Sequence, residues 1–494
     1  MSRLTFLLLW TTAACSQPIL SAQVLTSPDP NQAEKESAST AGKVLTVHAA
    51  AAPDPILRYR MWPAPENRIR DNANTIVNRA VILTLQVPPK SRSDLAERFS
   101  EWSEMPIDEL PIDDVQKVLA QYHTALSELA RVENVMMIEY DIQLDQLSAP
   151  EMIATVLPEF QEMRHLARLL GLRARVAIAE RRWDDAVRDC RIGFRLAEIC
   201  GYSTDFLVGR LVGFAISGTM FGVIEEALQQ PDCPNLYWAI ASLPEHRLFE
   251  TRDSIEFESV PMSRVFDSIG KLPKEPIGAV AAREKIRRLI REASETTFSM
   301  TSRPNTSSAE LAAGMYVVTL ADPSRDLLAA TKEWGDRAYA LSAAEAVLRA
   351  TQLKFTRLRD HWVAWSFLPP DAWDATRDEW QKYLLQPAPQ ADLLISLINS
   401  LVPAVDAARN AGRRTEQQRN WLATIEALRM HAAENGELPT SLDNLRPVPA
   451  WQDAIAMKPF GYQRSAPNRA ALIRAPRFRG DTETTFTVEL KGTK

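Results

Sequence analysis

Glycine is scarce, with 17 residues in a chain of 494, about half the ordinary ~7% usage. Strained turns, hairpins and phosphate-cradling loops draw on glycine, so its shortage argues against an all-β fold and against a nucleotide-binding enzyme. The signatures agree, because neither GxGxxG, GxxxxGK[ST] nor GxSxG occurs. Cysteine is also sparse. The four residues Cys15, Cys190, Cys200 and Cys233 form no CxxC, which excludes the usual redox pair and thiolate zinc site. Cys190 and Cys200 fall on one expected helix, about 15 Å apart at 1.5 Å per residue and beyond disulfide reach, so buried single thiols are expected. The six histidines, His48, His123, His165, His246, His361 and His431, are scattered singly with no HExxH, and a structural role is expected for each. A basic excess is missing too. Net charge is -6 and the pI near 5.7, which speaks against a dedicated nucleic-acid binder.

What is present begins with an export signal. Arg3 precedes an apolar stretch from Leu4 to Trp10 and small residues at Thr11–Ala14, the pattern of a short secretory signal. Ala13-Ala14-Cys15 reads as a lipobox with Cys15 lipidated; Leu20-Ser21-Ala22 reads instead as an ordinary cleavage site; an uncleaved anchor or a misread start is the third reading. Residues 1–22 are thus expected to be a signal peptide, and 23–55, rich in Pro, Ala and Ser, a flexible linker. The nearest internal span, Phe206 to Ile224, is interrupted by Arg210 and falls short of the ~18 apolar residues a membrane helix needs. A core helix is expected there, with Gly209, Gly213, Gly218 and Gly222 letting another helix approach.

Apolar residues at three- and four-residue steps predict helices at Asp114–Leu129, Glu151–Leu170 and Arg325–Leu358. Gly171–Glu198 reads as helix, turn at Arg181–Trp183, helix, with Ala174, Ala186 and Gly193 as its small packing positions. Ala281–Ala293 is a basic helix carrying Arg283, Lys285, Arg287, Arg288 and Arg291; it reads as a solvated face, with contact to a polyanion or a membrane surface as the other reading. After a polar break at Asn410–Glu416, Gln417–Ala433 forms a helix. Strands are expected at Phe460–Tyr462, Ala470–Ile473 and Thr485–Leu490.

These stretches carry resemblances. LRYRMWP, DNANTIVNRA, RRWDDAVRDCRIGFRLAE, CPNLYWAIASLP, HAAENGELPTSLDNLRP and KPFGYQRS together resemble uncharacterised secreted proteins of planctomycete bacteria, a group with no activity to carry over. The 171–198 hairpin resembles one tetratricopeptide (TPR) unit, with Arg181 where glycine is common. The C-terminal segment, with Leu438-Pro439 and Ser441-Leu442, is similar to the ends of type II secretion pseudopilins.

The expected fold is mainly α: an irregular helical-hairpin, TPR-like body over 56–415, then a small C-terminal α+β module over 416–494. Catalytic, metal and cofactor residues are not expected. The Ser268–Lys271 match to SxxK lies in a Gly/Pro-rich stretch, and the carboxylate pairs Glu256/Glu258 and Asp141/Asp145 read as ordinary surface pairs. Trp62, Trp183, Trp238, Trp362 and Trp365 are read as core. The expected function is that of an exported, non-enzymatic interaction or envelope scaffold protein, periplasmic or at the cell envelope. Its partner would be a protein or envelope component rather than nucleic acid, with membrane attachment through Cys15 if lipidated. Two rivals stay open. An exported hydrolase would show a deep cleft with a carboxylate or Ser/His pair at hydrogen-bond distance, and a secretion-system accessory would have a terminal sheet not buried against the helical body.

Overall fold

The computed structural model describes residues 43–139, 146–147, 149–203, 205–267, 269–298, 306–376, 379, 393–476 and 482–491, and over these the chain is mainly helical with a small C-terminal sheet module. They form two compact units. The larger joins the described residues up to Glu139 with Pro158–Thr251 and those from Ala408 onward; the smaller is built from Arg252–Ala407 and the described residues between 146 and 157. The division therefore differs from the expected 56–415 body and 416–494 module.

The larger unit begins inside the expected linker. Lys43–His48 is a strand (β1) that pairs in parallel with the last strand of the chain. The alternation in KVLTVH explains it: Leu45 and Val47 are fully buried while Val44 faces out at 46% exposure. Averaged over 23–55, the Pro, Ala and Ser content hides this six-residue signal. Tyr59, Met61 and Trp62 follow as buried plugs. β2 (Ile69–Asn72) pairs with β3 (Val135–Met137), and between them lie α1 (Ala73–Leu85), α2 (Pro89–Glu104), α3 (Ile112–Gln121) and α4 (His123–Leu129). Asn72 caps α1 by accepting from the Asn74 N–H at 3.1 Å.

Three long helices make the centre: α5 (Ala149–Ala179), α6 (Trp183–Tyr202) and α7 (Leu207–Ala227). The α5–α6 turn puts Arg181 at φ 58°, a left-handed conformation that costs a side-chain-bearing residue about 1–2 kcal/mol. Gly193 makes room for Met220 of α7, not for its own hairpin partner, and a Cβ at Gly213 would sit 2.6 Å from the Ala197 carbonyl oxygen. Gly218 and Gly222 face open space, so of the α7 glycines those two do not serve close packing. The helix is long and apolar enough to cross a membrane by length and composition, and 67% of its apolar window is buried inside the protein, as a core helix requires. Cys190, Cys200 and Cys233 are buried free thiols. Short helices α8 (Tyr237–Ala241) and α9 (Glu245–Leu248) follow.

The smaller unit contains α10 (Arg252–Phe257), α11 (Ser259–Asp267), α12 (Ala279–Phe298), α13 (Thr306–Ala329), α14 (Ala343–Ser366) and α15 (Pro370–Ala375). The expected helix over 325–358 is broken at Thr331–Leu341, where Gly335 takes φ 51° and Trp334 packs with Leu328, Ala338, Leu341 and Ala346. Glu345 and Arg349 of α14 fix the loop before α12. The Glu345 carboxylate accepts the N–H groups of Ile277 and Gly278 at 2.8 and 3.0 Å. Arg349 donates to the Pro273 and Glu275 carbonyls at 2.9 and 2.8 Å.

The last helix, α16, runs unbroken from Leu393 to Asn435, through the polar stretch 410–416 that was expected to interrupt it. Polarity there marks buried bonding and not a loop. Gly412 lies so close to the Phe249 carbonyl that a Cβ would meet it at 2.5 Å, Arg413 donates to the Ala454 and Ile455 carbonyls, and Thr415 bonds back to Ala411. Gly436 at φ 76° ends the helix. β4 (Gln452–Asp453) pairs with β5 (Lys458–Pro459), and β6 (Gly461–Ala466), β7 (Arg469–Arg474) and β8 (Thr484–Lys491) complete a sheet ordered β1-β8-β7-β6. Its inner face, Leu45, Val47, Ala470, Leu472, Phe486 and Val488, is buried, and the Trp421 ring of α16 meets Phe460 and Phe486 at 5.5 and 4.8 Å. Within the larger unit the terminal sheet is thus packed on a helix.

Candidate functional site

Ionisable groups taken out of water must be paired and hydrogen-bonded, and most of those in the larger unit tie segments together. Arg429, fully buried, bonds Glu426 at 2.7 Å and donates to the carbonyls of His48, Cys233 and Pro234. Asp453, 1% exposed, accepts from the Gln417 amide and from the N–H groups of Ile455, Ala456 and Ala475. Arg195 pairs with Glu198, which also pairs with Arg247, donates to the Val135 carbonyl and lies over the Trp62 ring. Burial, with the charges of Arg247 and Arg68, brings its pKa down to about 9.

One cluster is different because it reaches the surface. Glu245 opens α9 with its side chain 64% exposed, Glu416 of α16 is 23% exposed, and Arg419, one turn further, is 4% exposed. The Arg419 guanidinium stands 3.2 Å from Glu245 and 3.5 Å from Glu416, and it lies over the rings of Phe249 and Trp451 at 4.9 and 4.8 Å. Trp451 is half-buried, held by Nε1 donating to the Tyr237 hydroxyl at 2.9 Å. The two carboxyls interact through their charges and through the arginine they share. Burial foremost, then the Glu245 charge and hydrogen bond, push the Glu416 pKa up to about 7 against the pull of Arg419 and Arg413. A surface-accessible acid poised near neutrality beside a second acid, an arginine and a tryptophan is the arrangement expected of a functional site. Sequence reasoning missed all four. Glu245 and Glu416 are 171 positions apart, and Glu416 sat in the stretch taken for a break.

The residues weighed from sequence lie elsewhere. Cys15, Asp141, Asp145 and Ser268 fall outside the described residues, and Lys271 is in an exposed loop. Glu256 is on α10 and Glu258 follows it, so a two-residue spacing does not give them one face. The histidines stand on six different elements. His165 is the most perturbed: burial, then Arg168 and Arg92, lowers its pKa to about 4, and it meets the edge of Tyr122. Trp62 and Trp362 are core, whereas Trp183, Trp238 and Trp365 are half-buried. Among the described residues no group of three His, Cys, Asp or Glu side chains could hold a metal ion. A cavity of about 310 Å³ opens beside β2 and β3, lined by Ile69, Ile76 and Val135 with Asp71, Arg131, Glu133 and Arg188; there Glu133 already pairs with Arg188 and Arg191. No protein-family model, curated protein or solved structure matches the chain.

Proposed function

We propose that the protein is an exported, non-enzymatic interaction protein of the cell envelope, a helical scaffold with a TPR-like hairpin, and that Glu245, Glu416, Arg419 and Trp451 form its partner-binding face. The engagement of both Glu245 and Glu416 by Arg419, at 3.2 and 3.5 Å, carries this reading over the hydrolase. Carboxyls that cleave a glycosidic bond stand about 5–9.5 Å apart to flank the bond or a water. Carboxyls that share one arginine are held to that counterion instead. Arg and Trp, framed by Tyr237, are the residue types that dominate binding hot spots. Burial of the terminal sheet on α16 weighs against a secretion accessory, and the Arg3 to Ala14 pattern supports export.

The test is affinity capture from the cell envelope with wild type and with the double variant Glu245→Lys/Trp451→Ala. A partner enriched by wild type and lost by the variant is expected; one retained by both would sink this face. Envelope-glycan or peptide hydrolysis by purified protein, abolished in Glu416→Gln, would sink the non-enzymatic reading. Palmitate labelling compared with Cys15→Ala tests the anchor, and equal labelling would remove it.

A further inference from the structure

The basic helix identified in the sequence is α12, in the smaller unit. It buries Ala282, Ile286, Leu289 and Ile290, none more than 4% exposed, at the three- and four-residue steps of an amphipathic helix. Arg283, Arg288 and Arg291 are exposed, as are Lys271 and Lys274 of the preceding loop, and Arg287 is half-buried. Against these six cations the segment from Lys271 to Arg291 carries Glu275 and Glu284 alone. This excess lies in a chain whose net charge is -6, so it is a local inversion. At the start of the helix Val280 is 86% exposed. The loop is held in place from both sides, by Arg349 and Glu345 of α14 and by Lys285 donating to the Ile269 carbonyl. Its cations are displayed on a fixed backbone, which lowers the ordering cost of a contact.

We propose that the segment Lys271–Arg291 is a docking surface for an anionic phospholipid membrane, with Val280 entering the headgroup region. The charge selects an anionic partner, and the exposed valine selects lipid among anionic partners, because an apolar side chain gains nothing from a phosphate backbone but does gain at the headgroup–acyl boundary. No aromatic residue occurs between Ile269 and Arg291 to stack on a nucleic-acid base. The surface is independent of the partner face and of lipidation at Cys15.

The full-length Cys15→Ala chain, which cannot be lipidated there, is sedimented with vesicles of phosphatidylcholine alone or with 30 mol% phosphatidylglycerol. Each cation near an anionic leaflet contributes about fivefold to partitioning. Arg283→Gln/Arg288→Gln/Arg291→Gln is therefore expected to bind the anionic vesicles about a hundredfold more weakly, with an unchanged thermal midpoint. Raising salt from 50 to 300 mM should weaken the parent chain, and Val280→Ser should weaken it severalfold at constant charge. Equal binding to both vesicle types, or undiminished binding of the triple variant, would overturn the proposal. So would tighter binding of a single-stranded oligonucleotide than of the anionic vesicles.

Discussion

Replacing Glu416 by Gln tests the electrostatics of the Glu245–Glu416–Arg419 cluster directly. The Glu416 carboxyl ionises near 7 in the folded protein against an ordinary 4.5, and a tenfold change in proton affinity corresponds to about 1.4 kcal/mol. Because the folded-state value is raised, the native state holds a proton that the unfolded chain has released. Stability from this group is therefore intact below about pH 4.5, falls as pH rises toward 7, and is fully lost above it. The gap sets a ceiling of about 3 kcal/mol on the penalty at pH 8.5. Glutamine cannot ionise and can still donate to Glu245, but it gives up the attraction of the carboxylate for Arg419, so a gain of about 1–3 kcal/mol at pH 8.5 and about zero at pH 4.5 is expected. Urea unfolding read by thiol labelling suits the purpose, since Cys190, Cys200 and Cys233 are buried and all belong to the larger unit. A Glu416→Gln protein less stable than wild type at pH 8.5, or one whose difference does not change with pH, would refute the reasoning.

Four further substitutions separate geometry from composition. Gly213→Ala should lower stability by about 1–3 kcal/mol, because its Cβ would meet the Ala197 carbonyl, whereas Gly218→Ala, with nothing near its Cβ, should raise it by about 0.5–1 kcal/mol; a urea series showing the same sign for both would be inconsistent with the α6–α7 contact. Arg181→Gly should stabilise by up to about 1 kcal/mol by relieving the left-handed turn, even though it removes the exposed pair with Asp232, a type of contact worth little; a loss of thermal midpoint would show that the ion pair matters more. Asp453→Ala should cost about 3 kcal/mol or more by leaving the Gln417 amide and three main-chain N–H groups without their acceptor, and a midpoint within experimental scatter of wild type would rule that hub out.

Periodicity made part of the helical body legible, because α3, α4 and most of α5 follow from apolar residues at helical spacing, whereas the one helix read over 325–358 is the end of α13, a break and most of α14. The strands β6, β7 and β8 were legible from alternation. Three features were hidden, each for a physical reason. β1 is six residues long and its partner, β8, lies at the other end of the chain, so its short alternation is lost in the Pro, Ala and Ser content averaged over 23–55. The polar stretch within α16 reads as a break in the sequence because burial of a polar group depends on its partners: Arg413 is polar in the sequence and bonded in the fold to the Ala454 and Ile455 carbonyls. The Glu245–Arg419–Glu416 cluster joins segments whose separation exceeds any motif, brought together by the Gly412 approach to Phe249 and by Arg419.

That same chemistry accounts for the odd pairing of 17 glycines with 32 prolines. A loop rich in proline lacks N–H donors, so carbonyls within it find fewer main-chain partners, and without glycine it cannot fold back tightly to supply them. Buried carbonyls left so would each be costly. Here long side chains supply the missing donors. Arg429 donates to the Pro234 carbonyl, Tyr237 to Pro449, Tyr462 to Pro439 and Arg349 to Pro273. Each donor sits on regular structure and reaches out to an irregular segment. Such loops are tied through their carbonyls to helices and strands, and the Trp451 side chain beside them is tied in turn by its bond to the Tyr237 hydroxyl.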